Sequence, residues 1–337
     1  MRKRTPSLGR VRGSFWKKRR VLITGATGFV GSSLAARLAD LGARVTGLAK
    51  DPVPESSFEK QGLKGKIRLI RGDLADWPFV ERTLRRHPVE IVYHLAAQAI
   101  VGKANQSPRE TFRSNIEGTW NLLEACRDTR SLRAVIVASS DKAYGAHRKL
   151  PYREDFPLRP QFPYDVSKAC AELVARSYFF TYGLPVVVTR FANLYGPGDM
   201  NFSRIIPDTI RSILAGRRPV IRSDGTPERD YLFIDDAVDL YLLLAQRIDR
   251  TKGEVFNAGH NQPVRVLQVV ETLLRLAGRS DLKPKILGKG TPHGEIDRQW
   301  LDGAKAKRMV GWSPDVELEA GLKKTLAWYA TYPKTPR

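Results

Sequence analysis

Apolar residues along the chain fall into short runs separated by stretches of helical spacing, the alternation expected of a parallel sheet covered by helices. Val21-Leu22-Ile23-Thr24 is the first run, too short to span a membrane and suited to a buried strand. Ser32 to Leu41 follows, with Leu34, Leu38 and Leu41 on one helical face. Residues 43–49, 67–70, 89–97, 132–138 and 184–190 repeat the strand pattern, and Asn115 to Arg127 and Tyr164 to Tyr182 read as helices. Val264 to Leu276 and Leu318 to Tyr329 are helical and predict a smaller C-terminal lobe. The expected fold is α/β. A Rossmann-type doubly wound parallel sheet occupies residues 20–190, and an α/β substrate-binding lobe occupies residues 191–331, with some segments returning to the first domain.

The connection between the first strand and helix is Gly25-Ala26-Thr27-Gly28-Phe29-Val30-Gly31. In such a turn Gly25 permits the tight bend, Gly28 lets backbone approach a pyrophosphate, and Gly31 lets helix and strand close together. The first N–H groups of the helix then face the phosphates, so a dinucleotide is the expected ligand, with Thr27, Phe29 and Val30 in the same turn. At the end of the second strand stand Ala49, Lys50 and Asp51. Asp51 suits a ribose 2′-hydroxyl and Lys50 a 2′-phosphate, so NAD is expected and NADP stays open. Asp73, followed by Leu74, is a candidate for the adenine amino group and equally a candidate helix cap. The fourth strand ends in Leu95, Ala96 and Ala97, small enough to leave room for a cofactor.

Charge modifies this picture only slightly. The 337-residue chain carries a net charge of +22, and residues 1–20 hold nine Lys or Arg with no acid. That leader has no apolar core of a secretory signal, and residues 1–19 are expected to form a disordered basic arm. The remaining basic residues are scattered and match no nucleic-acid module, so no nucleic-acid partner is expected. A basic surface also attracts an anionic nucleotide. Two cysteines, Cys126 and Cys170, predict neither a disulfide framework nor a metal site. No membrane partner is expected, and a cytoplasmic location is.

The strand over 132–138 delivers Ser139, Ser140, Asp141 and Lys142 at its C-terminal end, where open α/β sheets place ligands. Tyr164 and Lys168 are four residues apart and share a helical face. Lys168 suits the nicotinamide ribose hydroxyls, and its charge is expected to lower the pKa of Tyr164. A phenolate there accepts a substrate hydroxyl proton while hydride leaves for the cofactor, and Ser140 fixes the same oxygen.

With these motifs in place, the chain resembles the extended short-chain dehydrogenase/reductases, the NAD-dependent epimerases and dehydratases of nucleotide sugars. The resemblance runs from about Val21 to Trp328 through the glycine turn, His94-Leu95-Ala96-Ala97, Tyr164-Asp165-Val166-Ser167-Lys168, Arg190 to Gly198, Arg229-Asp230-Tyr231 and Gly311-Trp312-Ser313-Pro314. Ser140-Asp141-Lys142 resembles the 4,6-dehydratase branch of the CDP-glucose type. Residues 95–98, 152–155 and 295–302 resemble the same branch, whereas residues 229–236 resemble epimerases and GDP-mannose dehydratases.

The resemblance implies a redox-neutral conversion of a nucleotide-diphosphate hexose to its 4-keto-6-deoxy product. Tyr164 takes the C4 hydroxyl proton, Lys142 accepts the C5 proton, and a protonated Asp141 serves the departing C6 hydroxyl. A purely structural pair, Asp141 capping a turn and Lys142 in a surface ion pair, stays open. Gln98, Asn193, Arg204 and Arg229 are the candidate substrate contacts; a guanidinium at Arg229 suits a diphosphate. His293, in Pro292-His293-Gly294, is read as structural. A homodimer through the helices at 115–127 and 164–182 is implied. A 4-epimerase, which needs neither Asp141 nor Lys142, is the alternative. A reductase that exchanges its cofactor and a non-catalytic nucleotide-sugar sensor also stay open.

Overall fold

The apolar runs pair as one sheet in the computed structural model, which describes residues 9–51, 56–290 and 295–331. Seven parallel strands build it: β1 (Arg20–Thr24), β2 (Arg44–Ala49), β3 (Arg68–Arg71), β4 (Ile91–His94), β5 (Ala134–Ala138), β6 (Val186–Phe191) and β7 (Val255–Ala258). Their order is β7-β6-β5-β4-β1-β2-β3, so successive connections change direction between β1 and β4. That switch opens a crevice at the carboxyl ends of the strands. Thr24 sits there, in register with Leu48 on one side and His94 on the other.

The strand runs are apolar without alternation because both faces of the sheet are covered. Val21, Ile23, Ile91, Tyr93 and Ile136 pack into one layer. Leu22, Val92, Val135 and Val137 pack into the other. Helices α1 (Phe29–Asp40), α2 (Trp77–Arg86), α3 (Gly118–Arg127), α4 (Pro163–Tyr182), α5 (Ile205–Leu214), α6 (Ile234–Gln246), α7 (Val266–Leu276) and α8 (Leu318–Ala330) surround them. α1 and α6 lie against the first layer, and α2, α3 and α4 cover the second. α4 carries Pro163 in its first turn and stops at Gly183, whose φ of 69° suits a left-handed cap.

The C-terminal part divides as its contacts dictate. α5, α7 and α8 pack on one another, whereas α6 and β7 complete the sheet domain. A short sheet of residues 264–265, 228–229 and 298–299 faces the crevice and holds Arg229 in register with Val264 and Gln299.

Two expectations change. The helix expected from Asn115 begins as a π turn over Arg113–Glu117 and becomes α-helical only at Gly118. The wider turn accompanies a buried Asn115 whose side chain bonds outside the helix. The disordered arm expected over residues 1–19 does not include residues 9–19. Gly13–Trp16 forms a helical turn, the Trp16 side chain is fully buried, and Arg19 pairs with Glu90 at 2.6 Å. An indole of that size outweighs the surrounding charge; residues 1–8 lie outside the described residues. Among the described residues, no helix is long and apolar enough to cross a membrane.

Candidate active site and dinucleotide cradle

The glycine turn is packed too closely on its own backbone to admit a side chain at Gly25 or Gly31. Gly25 has φ +73°, and a Cβ there would lie 2.8 Å from the Ala96 backbone nitrogen. A Cβ on Gly31 would lie 2.1 Å from the Gly25 carbonyl oxygen. Gly28 is the exposed N-cap of α1, has no capping side chain, and leaves the first N–H groups of a 12-residue helix open to an anion. Thr27, Phe29 and Val30 are half-buried around it. The turn is fixed from below: the Leu95 and Ala96 N–H groups donate to the Thr24 carbonyl and hydroxyl oxygens, both at 3.2 Å. Ala97 lies half-buried at the mouth. His94 lies within 2.8 Å of both the Thr24 and Thr119 hydroxyls. Burial pushes the His94 pKa down to about 3, with Lys168 contributing, so the imidazole is a neutral spacer. These features fit a dinucleotide pyrophosphate.

At the far end of the cradle, Lys50 and Asp73 form an ion pair of 3.0 Å. Burial by itself would raise the Asp73 carboxyl, but the Ala75 N–H and Lys50 outweigh it and hold the pKa below the ordinary value. Asp73 accepts from the Ala75 N–H at 3.0 Å in a local turn, whereas the cap of the following helix is Asp76, which accepts from the Phe79 N–H at 3.2 Å. Asp51 is exposed just beyond β2. The Leu74 side chain is buried in the second core layer, and its carbonyl accepts from Asn121 Nδ2 at 2.9 Å.

The reacting residues converge at the ends of β5 and α4. Ser140 caps a 3₁₀ turn over Asp141–Tyr144, its Oγ accepting from the Lys142 N–H at 3.2 Å and donating to Asp141 at 3.0 Å. Ser140 stands close enough to the Tyr164 phenol to favour its ionised form. Asp141 is buried, and that burial raises its pKa to about 6 against the opposing charges of Lys142 and Arg229. The turn is held rigidly. Tyr144 is fully buried, donates to Asn257 at 2.8 Å, and lies under the Arg190 guanidinium at 4.4 Å. Arg190 in turn forms a fork with Glu172, including a bond of 2.9 Å.

The expected lowering of Tyr164 by Lys168 is not what the structure shows. Burial pushes the phenol up to about 12; Ser140 and Arg204 oppose the rise. Lys168 is buried, which lowers its pKa to about 8, and its ammonium donates to the Ala138 carbonyl. Desolvation is the largest influence on both groups.

The substrate candidates are placed unevenly. Arg229 Nη1 donates to the Asp297 carbonyl at 2.8 Å, and its Nη2 lies 3.5 Å from Glu295. Arg204 stands at the N-cap position of α5 without a side-chain cap bond and pairs with Asp199 at 3.0 Å. Asn193 donates to the Asp230 carbonyl at 3.4 Å. Gln98 uses its side-chain oxygen to accept from the Ile100 N–H at 3.2 Å, so that oxygen braces its own loop. Residues 292–294, with His293, lie outside the described residues.

Three residues that sequence reasoning did not single out join the site. Asn115 accepts from the Gln98 N–H at 2.7 Å and donates to Ser167 at 2.8 Å, tying the crevice loop to α4. Asp165 is buried and its pKa is raised to about 7, first by burial, with Asp141 and Glu295 adding to the rise and Lys142 opposing it. Glu295 pairs with Lys142 at 3.1 Å across a separation of 153 residues. Asp165 was legible only as part of the Tyr164–Lys168 motif, and Glu295 only as the first residue of the 295–302 stretch.

A doubly wound sheet with a glycine cradle at its switch point and a serine–tyrosine–lysine cluster beside it defines a dinucleotide-dependent enzyme of the short-chain dehydrogenase type. The chain belongs to the NAD-dependent epimerase/dehydratase family, whose sequence pattern matches residues 21–259. It is 33% identical to CDP-glucose 4,6-dehydratase of Salmonella typhimurium, over 95% of this chain and 92% of that one. It is 32% identical to UDP-glucuronate 4-epimerase 4 of Arabidopsis thaliana, over 98% of this chain and 79% of that one. Among solved structures, UDP-glucose 4-epimerase of Thermotoga maritima superposes with a TM-score of 0.85 at 31% identity, covering 92% and 98% of the two chains. The dTDP-glucose 4,6-dehydratase of Bacillus anthracis, solved with NAD, gives 0.83 at 25% identity, covering 93% and 96%.

Proposed function

We propose that the chain is a nucleotide-sugar 4,6-dehydratase acting on an NDP-hexose of the CDP-glucose or GDP-mannose type. The observation that carries this reading is Asp141: a buried carboxyl raised to about 6, accepting a hydrogen bond from Ser140 in the turn that faces Tyr164. A 4-epimerase has no use for an acid there, because it expels no hydroxyl.

Gly25, Thr27, Gly28, Phe29, Val30 and Gly31 would hold the pyrophosphate of NAD, with Leu95, Ala96 and Ala97 lining the crevice and Lys168 at the nicotinamide ribose. Bound NAD would supply the hydride acceptor for C4 and the hydride donor for C6. Tyr164 removes the C4 hydroxyl proton, and Ser140 orients that oxygen. A phenol raised to about 12 needs the positive charges of Lys168 and Arg204 to close on it when substrate excludes water. The 4-ketone then acidifies C5, Lys142 accepts its proton as the free amine once its own proton has left to solvent, and Asp141 delivers its own to the leaving C6 hydroxyl. Arg229 and Asn193 take the diphosphate. Cys126 and Cys170 are unpaired, which suits a reducing cytoplasm. Trp120, Leu173 and Phe180 are 44%, 56% and 67% exposed on α3 and α4, which supports a homodimer through these helices.

The test is incubation with CDP-glucose, dTDP-glucose, GDP-mannose and UDP-sugars, reading product mass. Loss of one water supports dehydration. A C4-inverted product of unchanged mass refutes it in favour of the epimerase reading, which the 32% identity to a UDP-glucuronate 4-epimerase favours.

A further inference from the structure

Lys142 and Arg229, the two cations assigned to the sugar and to the diphosphate, are bridged by one carboxylate. Glu295 lies 3.1 Å from Lys142 Nζ and 3.5 Å from Arg229 Nη2. Both cations are largely shielded from solvent, with side-chain exposures of 15% and 11%, whereas Glu295 is 34% exposed. Arg229 is anchored on its other side by the Asp297 carbonyl and its own neighbour's carbonyl, so its Nη2 is the edge left for an anion. Glu295 occupies that edge. Two buried carboxyl groups, Asp141 and Asp165, also lie within the field of Lys142, but burial raises both toward their neutral forms. Glu295 is therefore the carboxylate that pairs with both cations before any substrate arrives.

A diphosphate cannot meet Arg229 in a bidentate way while this carboxylate is in place, because two anions compete for one guanidinium edge. We propose that Glu295 is a placeholder carboxylate: it holds Arg229 and Lys142 in position in the empty site and is displaced from Arg229 by the incoming diphosphate, which also frees Lys142 to meet the sugar. Glu295 is thus a positioning residue, acting through the two cations. The displacement rests on the assignment of Arg229 to the diphosphate, and it does not require that the reaction be dehydration.

The deciding experiment measures binding of inorganic pyrophosphate, and of the nucleoside diphosphates CDP, UDP, GDP and dTDP, to the full chain by titration calorimetry. Glu295→Gln should bind pyrophosphate more tightly, by about fivefold, the scale of one partly exposed charge interaction. Glu295→Asp should restore the weaker affinity. In an Arg229→Ala background, Glu295→Gln should change pyrophosphate binding by less than about twofold, since the competition needs the guanidinium. NAD binding by each variant reports that the fold is intact. Unchanged or weaker pyrophosphate binding by Glu295→Gln overturns the proposal. So does a variant that loses affinity for nucleoside diphosphates alone, which would mark Glu295 as a contact to the nucleoside. If pyrophosphate binding strengthens as expected but the wild-type product is a C4 epimer, the placeholder stands and the dehydratase reading falls.

Discussion

Replacing Asp141 by Asn should make the protein more stable and less active at once. The carboxyl is buried, and its pKa rises from 3.8 to about 6, chiefly through desolvation, with Lys142 and Arg229 opposing. A pKa raised in the folded state favours folding below the unfolded value, and this contribution is lost as pH climbs through the folded value. Between pH 3.8 and about 6 the wild-type protein therefore loses stability relative to a neutral side chain. A rise of that size corresponds to roughly 3 kcal/mol, reached in full near pH 8. Asn is nearly isosteric, stays neutral, and can still meet Ser140. Denaturant unfolding of wild type and variant should diverge by up to about that amount near pH 8 and converge near pH 4. Dehydration should fall by about 100- to 10,000-fold with loss of the acid, while C4 oxidation, read as absorbance of reduced nicotinamide, persists. A gap that does not change between these pH values would refute the burial argument. Water loss at the wild-type rate would refute the acid role.

Tyr164→Phe should reduce C4 oxidation by at least about a hundredfold, measured as single-turnover reduction of bound NAD. Glu172→Gln leaves the Arg190 guanidinium buried beside Tyr144 without its counter-charge. It should cost about 3–5 kcal/mol in denaturant unfolding, and adding Arg190→Met should recover much of that. Trp16→Ala empties a fully buried site in the first core layer and should cost about 3–5 kcal/mol. A loss under about 0.5 kcal/mol would show that the segment before β1 is not part of the fold.

The sheet was legible because its local signals agree. Apolar runs of strand length, glycines between strand and helix, and Pro163 with Gly183 bounding α4 all specify the same α/β alternation. Tyr164 and Lys168 were legible because helical spacing alone puts them on one face. Asn115 was not, since a π turn is not written in helical periodicity. The N-terminal segment misled because nine basic residues dominate its composition, whereas one indole decides its packing.

The sequence by itself determined which chemical groups are present and which neighbours share a face, because these follow from covalent order and helix or strand period. It determined Ser140, Asp141 and Lys142 as one turn and the glycine cradle as another. Only the tertiary structure decided what those groups face. Desolvation by the whole fold, a property of no local segment, raises Asp141 and Tyr164 and lowers Lys168. Glu295 reaches Lys142 from 153 residues away because the short sheet holding Arg229 folds back over the crevice.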